Sequence, residues 1–534
     1  MPNKTENPRI LIVTPEVSHL PREMDSASRC RNAKAGGLGD VSAALINTLY
    51  EQGVDVHLAI PDYRNIFSSP IPMYKQNKLR LLHQSLPHDK IHLAQDRAFF
   101  YLNRVYSGSQ EENINISLAF QREVINHIVP QVQPDLIHCN DWMTGLIPAI
   151  AREIGIPCLF SIHNIHTVHV PLSHIEDRGI DGASFWHNLY FDRYPGSYED
   201  TRNNNPVDFL ASGVFAAHFV NTVSPTFLDE VINGYHGFVS ESLKHELADK
   251  KAASCAVGIL NAPDTSFDPS NDKALPFNYS SANHSQGKAA NKFCIQKSAG
   301  LKVNPNAPLF FWPSRLDPVQ KGCQLLSDIL YHVVSRYWNE DLEFIFVADG
   351  PFQKHFKDIV RFHGLQKRVA FCDFDEQLSR MAYGAADFVL MPSGFEPCGL
   401  PQMIGSIYGA LPVVRDTGGL HDTVSHLDME KNKGNGFVFE TFDANGLSWA
   451  IDQAMAFFLS PQTVKNKQIK RIMEQSRCRF SYKNTARQYI RLYEQMLERP
   501  LVAQDNVTVP ETDRTVYADA SSQYKSFQSL AMHA

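Results

Sequence analysis

Short apolar runs bounded by polar loops recur along the chain, and stretches with apolar residues at helical spacing lie between them. The run at 10–13 has the unbroken hydrophobicity of a strand buried on both faces, as does 54–60, and 41–50 between them is helical in period. Runs at 136–138, 158–163 and 219–224 continue the series, with a helix expected after Asp141-Trp142. A stretch rich in Pro, Asp, Ser and Asn follows to about residue 285 and is expected to be an exposed connection. Strand and helix then alternate again. Apolar runs at 309–312, 343–348, 369–372, 388–391 and 411–414 are separated by helical stretches at 323–338, 353–362, 377–386 and up to Ala410. The pattern predicts an α/β protein with two doubly wound, Rossmann-like sheets. Helices at 446–459 and 461–476 and an amphipathic one at 484–498 end the patterned chain, and the tail beyond Pro500 is polar and weakly patterned. The aromatic segment 171–206 has no clear period, and most of its rings are expected to pack rather than to stack on sugars.

Parallel sheets keep their chemistry at the carboxyl ends of their strands, and polar clusters occupy those places here. Lys34-Ala35-Gly36-Gly37-Leu38-Gly39-Asp40 stands between a strand and a helix, where glycines without Cβ let backbone approach a pyrophosphate. The spacing is not G-x-G-x-x-G, so a nicotinamide site is not indicated. His138 to Trp142 and His163-Asn164 end two strands. Arg315 and Lys321, in Ser314 to Gly322, are two cations able to neutralise a pyrophosphate leaving group beside a helix N-terminus. Glu396-Pro397-Cys398-Gly399 forms a tight loop before another helix. Singly, each has a plain structural reading. Lys34 alone is a solvated lysine, a lone histidine is more often structural, and Glu396 alone is a surface or helix-start carboxylate that carries little core packing.

Composition narrows the classes. A chain of 534 residues is long enough for two or more domains, and 43% hydrophobic with 20% charged residues is ordinary globular usage. A formal charge of −7 offers no basic surplus for nucleic acid, so any phosphate must be met by local side chains and amides. Nine cysteines without a C-x-x-C pair support neither a disulfide framework nor a metal site, and no metal or other cofactor is expected. The polar start, MPNKTENPRI, carries no signal peptide, and no apolar run has membrane-spanning length, so a cytoplasmic protein is expected.

Several of these stretches go beyond spacing. Lys34 to Asp40, Thr222-Val223-Ser224-Pro225, Gly258-Ile259-Leu260-Asn261, Ser314 to Gly322, Phe395-Glu396-Pro397-Cys398-Gly399-Leu400 and Thr417-Gly418-Gly419-Leu420-His421-Asp422-Thr423 together closely resemble the bacterial glycogen synthase and starch synthase family. The resemblance covers roughly residues 10–65, 134–168, 218–262 and 285–500. It implies two Rossmann-like domains facing a central cleft (GT-B), and retaining transfer of glucose from ADP-glucose to an α-1,4-glucan without a metal. The implied domains are 1–262 on the acceptor side, completed by a returning helix at 479–500, and 263–478 on the nucleotide-sugar side, with 501–534 a tail. By the same resemblance Glu396, His163, Arg315 and Lys321 are catalytic. Lys34, Gly36, Gly37, Phe374, Cys398, Gly399, Leu400, Thr417 and Gly418 bind the donor, Phe374 by stacking on its base. Asp40, Asp141, Trp142 and Asn261 lie on the acceptor or sugar side.

The chain departs from the family pattern in places. Met143 replaces a histidine, Ala262-Pro263 replaces Gly-Val, and Pro401 stands at a usual threonine. One extra residue separates Arg315 from Lys321, and the loop 17–33 is long. Two other readings remain at this level: a GT-B transferase of sucrose- or trehalose-synthase type, and a glucan-binding scaffold without activity. Oligomeric state is not legible.

Overall fold

The computed structural model describes residues 7–20, 24, 32–67 and 90–502. The tail beyond 502 and most of the long 17–33 loop lie outside the described residues. Two parallel sheets organise the chain. The first takes β1 (Arg9–Val13), β2 (Asp55–Pro61), β3 (Ile91–Ala94), β4 (Leu136–Asn140) and β5 (Cys158–Ile162). A two-stranded antiparallel ribbon, β6 (His169–Val170) with β7 (Val207–Asp208), interrupts before β8 (Phe219–Thr222) and β9 (Ala256–Gly258) complete it. The second sheet is β10 (Leu309–Trp312), β11 (Glu343–Val347), β12 (Val369–Cys372), β13 (Phe388–Met391), β14 (Leu411–Arg415) and β15 (Phe437–Phe439). The strand orders are β3-β2-β1-β4-β5-β8-β9 and β12-β11-β10-β13-β14-β15. Each order reverses once, between β1 and β4 and between β10 and β13, and a crevice opens where neighbouring crossovers leave on opposite faces.

Burial on both faces explains why these strands read as unbroken apolar runs. Ile10 to Val13, Leu309 to Trp312 and Phe388 to Met391 are all essentially inaccessible. Each such side chain contributes roughly 1.5–3 kcal/mol of burial. One segment differs from its sequence reading. The expected exposed connection before residue 285 buries Leu275 and Tyr279, with Tyr279 donating to the Tyr408 carbonyl at 2.8 Å. Asp272 in the same segment pairs with Arg380 at 3.3 Å. Its polar composition serves turns and anchors rather than solvent. After Asp141-Trp142 the chain makes a 3₁₀ turn, Trp142–Thr144, before the helix Ile147–Glu153.

In the aromatic segment Phe185 and Phe191 are buried while Tyr194 is 97% exposed. The helix Tyr482–Leu497 lies against the first sheet's helix Gly37–Glu51, although it follows the second sheet in sequence. A buried polar chain fixes it. Tyr493 Oη meets His138 Nδ1 at 2.8 Å, His138 Nε2 meets Ser161 Oγ at 2.5 Å, Ser161 bonds Asn221, and Asn221 Nδ2 donates to Tyr489 Oη at 3.1 Å. Burial lowers the His138 pKa to about 3, so the ring is a neutral structural link.

Candidate active site

The loops after β10 and β13 flank the second sheet's switch point and meet there. Asp317 Oδ1 accepts from the amides of Val319 (2.8 Å) and Gln320 (2.9 Å), a side-chain-closed turn. That turn absorbs the extra residue, with Val319 left 78% exposed, and still delivers Lys321 inward. Gly322 follows at φ +67°, where a Cβ would fall 2.0 Å from the Pro392 carbonyl oxygen; only glycine lets the two loops touch. Lys321 Nζ then reaches Glu396 Oε2 at 2.6 Å, and Ser393 Oγ donates to the same oxygen at 3.1 Å. Both residues are buried, at 9% and 6% exposure. Among the described residues both of these bonds fall on Oε2, leaving Oε1 open. Glu396 therefore does more than the sequence reading allowed: it balances a buried ammonium. Arg315, on the same loop, is exposed and engages no other described side chain.

The remaining donor-side candidates surround this pair. Phe374 presents a ring 57% exposed, its amide held by Asp349 at 3.1 Å. Asp373 and Asp375 flank it just past β12, an aspartate-x-aspartate pair at a strand end where none was expected. Asp375 caps a helix through the Leu378 amide at 2.7 Å, and no group of three or more His, Cys, Asp or Glu among the described residues could hold a metal. Cys398 is buried and its thiol is pushed up to about 12 by that burial, so it is no nucleophile at neutral pH; the Asn261 backbone bonds it from the other domain. Gly399 takes φ +71° and Leu400 caps the helix Pro401–Ile407, in which Pro401 occupies the first turn, where no amide is required. Gly418 Cβ would fall 2.2 Å from the Glu396 carbonyl, so this loop packs directly on the Glu396 loop.

The first domain brings its own strand ends to the same place. Glu16, beyond β1, accepts the amides of Ala35 at 2.7 Å and Gly36 at 2.9 Å through Oε2, while Tyr106 Oη donates to Oε1 at 2.9 Å. Gly36 is thus committed to Glu16; Gly37 opens the helix Gly37–Glu51, and a Cβ on either glycine would meet nothing within 4 Å. Lys34 pairs with Asp40 at 2.8 Å.

Beyond β4, Asp141 takes φ 57°, ψ 177°, a conformation costly for any side chain but glycine. Held so, its Oδ1 accepts the His163 amide at 2.7 Å and its Oδ2 the Asn164 side chain at 3.0 Å. Burial raises Asp141 to about 7 despite those bonds, with the charge of Glu16 adding to the rise. Asn140 donates to the Val13 carbonyl at 3.1 Å, so its Oδ1 faces His163 Nε2 at 2.9 Å as an acceptor. His163 therefore carries its proton on Nε2, and burial lowers it to about 4, leaving a neutral ring. Trp142 is buried against His166, and Met143 is core.

The two halves are joined by contacts between the Thr417 to Thr423 stretch and the helix that begins at Ser224-Pro225. Glu230, on the helix Pro225–Ile232, accepts the Gly418 amide at 2.9 Å and the Thr417 hydroxyl at 3.0 Å. Asp422, on the helix Gly418–Thr423, accepts the Thr226 amide at 3.2 Å and hydroxyl at 2.6 Å, and bonds Ser224, the cap of the first helix. Each helix is capped by a carboxylate of the other domain, which occupies the Thr417 and Gly418 groups read as donor contacts. Tyr482, on the returning helix, lies near both Asp40 and Cys398, and packs with Ala44 and Ala262. Of the residues in this site, Glu16, Tyr106, Asn140, Ser393, Glu230 and Asp422 were not read as functional. Glu16 carried a signal in its place just past a strand end, Asn140 in its strand-end polar cluster, and Asp422 in the Thr417 to Thr423 stretch.

Two doubly wound domains whose strand-end loops meet across one cleft define a GT-B glycosyltransferase. Residues 9–246 match the family model of the starch synthase catalytic domain, and 307–456 that of glycosyl transferases group 1. The glycogen synthase of Bacillus licheniformis is 32% identical over 489 residues, covering 86% of this chain and 95% of that protein. That of Bacillus subtilis is 30% identical, covering 87% and 95%. The catalytic domain of starch synthase IV from Arabidopsis thaliana, solved with ADP and acarbose, superposes with a TM-score of 0.74 at 25% identity, covering 92% of this chain and all of that one. A sucrose-phosphate synthase from Thermosynechococcus elongatus, at 17% identity and TM-score 0.55, shares the fold alone. This chain belongs to the glycogen synthase family.

Proposed function

We propose that the protein lengthens an α-1,4-glucan such as glycogen at its non-reducing end, using ADP-glucose and retaining configuration. The observation that carries this reading is Glu396, buried beside Lys321 with Oε1 open. In transfer the bond from glucose C1 to the diphosphate breaks. A bond from C1 to the acceptor hydroxyl forms on the same face, and the hydroxyl proton leaves with the released ADP. Arg315 and Lys321 meet the charge growing on the diphosphate, and Glu396 meets the sugar hydroxyls and the positive charge growing at C1. As the diphosphate takes over Lys321, Glu396 Oε2 is released to the sugar.

Lys34, Gly36, Gly37, Cys398, Gly399, Leu400, Thr417 and Gly418 shape the donor's surroundings, and Phe374 offers its ring to the base. The neutral His163 and its backbone, positioned by Asp141, line the sugar; Asp40, Trp142 and Asn261 lie towards the acceptor. Residues 1–262 with 479–500 supply the acceptor side and 263–478 the donor side, without a metal. The Arabidopsis relative's ADP supports the adenine nucleotide. Among the described residues no helix is long and apolar enough to cross a membrane, which fits a cytoplasmic enzyme. Incubating the protein with glycogen and labelled ADP-glucose or UDP-glucose tests the reading: label entering glycogen from ADP-glucose is expected. Transfer to fructose or to a sugar phosphate instead would favour a sucrose- or trehalose-type enzyme, and no transfer to any acceptor a binding scaffold.

A further inference from the structure

The opposite edge of the second sheet holds a second polar enclosure. A cavity of about 190 Å³ lies at the amino ends of β10 and β13, between the helices His284–Ala299 and Gln462–Arg479. Arg315, Phe374 and Glu396 all leave the carboxyl ends, so this cavity is separate from the catalytic cleft. Three lysines and one carboxylate line it: Lys288, Lys292, Lys465 and Asp387. Lys292 Nζ bonds Asp387 at 2.5 Å and the Ala307 carbonyl at 2.7 Å. Lys288 Nζ bonds the carbonyls of Tyr408 at 3.0 Å and Tyr383 at 3.5 Å, and Lys465 Nζ that of Phe458 at 2.8 Å. An ammonium has three N–H groups, so each lysine keeps at least one unused. Burial lowers Lys288 to about 7, the mark of a cation short of negative partners.

Two further features point the same way. The helix His284–Ala299 starts at the cavity with no acidic residue in its first turn and no side-chain cap, because Asn283 Oδ1 accepts from the Ser280 amide at 2.7 Å instead. Its first amides and the positive end of its dipole are open to an anion. His284 is buried, its Nδ1 donates to the Ser281 carbonyl at 2.9 Å, and its Nε2 presents a lone pair beside the Asn466 side chain, with no partner in hydrogen-bonding geometry among the described residues. Packing alone gives no reason to collect three ammonium groups, an uncapped helix and an orphaned imidazole nitrogen around one carboxylate.

We propose that this cavity is a second, non-catalytic site that binds a phosphate group, either inorganic phosphate or the phosphate of a phosphorylated sugar. The lysines and the helix amides take the charged oxygens, and a P–OH or sugar hydroxyl donates to His284 Nε2. Calorimetric titration of the full chain with inorganic phosphate, and separately with a hexose monophosphate, tests it. Saturable binding is expected that persists in Arg315→Ala and weakens about tenfold or more in Lys465→Gln and in His284→Ala. Glucosyl transfer without added phosphate stays unchanged in Lys465→Gln, whose half-buried lysine is the least embedded of the three. Whichever of the two ligands binds more tightly assigns the source. Sulfate, which has no proton to give Nε2, is expected to bind more weakly, and equal binding would overturn the role of His284. Absence of saturable binding, or binding lost in Arg315→Ala but intact in Lys465→Gln, would overturn the site.

Discussion

Buried carboxylates line both switch points, and the two domains use them in opposite ways. Glu16 and Asp141 in the first domain each spend one oxygen on backbone amides, Ala35 and Gly36 for one, His163 for the other, and the second oxygen on a side chain, Tyr106 and Asn164 respectively. Glu396 in the second, among the described residues, takes no amide, holds a buried ammonium on Oε2 and keeps Oε1 open. A carboxylate held by fixed neutral donors shapes a loop, because those donors do not change as a substrate reacts. One paired with a lysine side chain can exchange partners when a diphosphate arrives. What such a residue accepts from, more than its burial, tells the two roles apart.

The sharpest test is on the exchangeable side. Arg315→Ala, Lys321→Ala and Glu396→Gln are each expected to cut turnover by about 10²-fold or more, as loss of a group aimed at developing charge does. Glu396→Gln should also lower the melting temperature, since it strands Lys321 without its counter-charge. Adding Lys321→Met should restore melting but not turnover. Recovery of both would make the pair structural and erase the contrast.

On the fixed-donor side, Asp141 is expected to reveal itself through stability. Burial raises it to about 7 from the ordinary carboxylate value of 3.8, so the folded state holds the proton more tightly than the unfolded chain. The stability this adds is complete below about pH 3.8 and is lost as pH rises towards 7. Relative to Asp141→Asn, which cannot titrate there, the wild type should lose on the order of 4 kcal/mol across that window. Urea unfolding of both proteins at several pH values measures the difference, and a constant gap would show that the carboxylate does not titrate in this window. Glu16→Ala should raise the donor KM roughly tenfold, the cost of losing a charged acceptor for two amides, with kcat changed less. A collapse of kcat would move Glu16 into the class of Glu396.

Much of this architecture was readable because parallel strands covered on both faces must be apolar throughout, and because the loops of the candidate site are each contiguous in sequence. What escaped had weak local signals or distant partners. β3 is a four-residue edge strand containing His92, and the helix Gln110–Glu123 opens with Glu111 and Glu112 and has a short apolar face. Lys321 and Glu396 were each singled out, but nothing local showed that they would meet. Tyr106 meets Glu16 from 90 residues away and Glu230 meets Gly418 from 188 away, so neither has a neighbour in sequence that marks it. Glu230 is a glutamate in a helix like many others until the second domain is in place.

The interdomain caps give the smallest expected effect and extend the contrast to the cleft floor. Glu230 and Asp422 belong with Glu16 and Asp141, since both accept backbone amides, but each holds a helix of the other domain. Glu230→Ala and Asp422→Ala should each cost about 1 kcal/mol, the usual loss for a helix cap. The helices Pro225–Ile232 and Gly418–Thr423 lie against each other, so removing one cap frees the pair to part and weakens what the other still holds. The double variant should therefore cost less than the sum of the singles, by about 0.5 kcal/mol or more. A denaturant double-mutant cycle reads that coupling directly. Strict additivity would mean that the carboxylates act as two independent caps, and that the domains are clasped by the packing around Phe227, His236 and Phe395 instead.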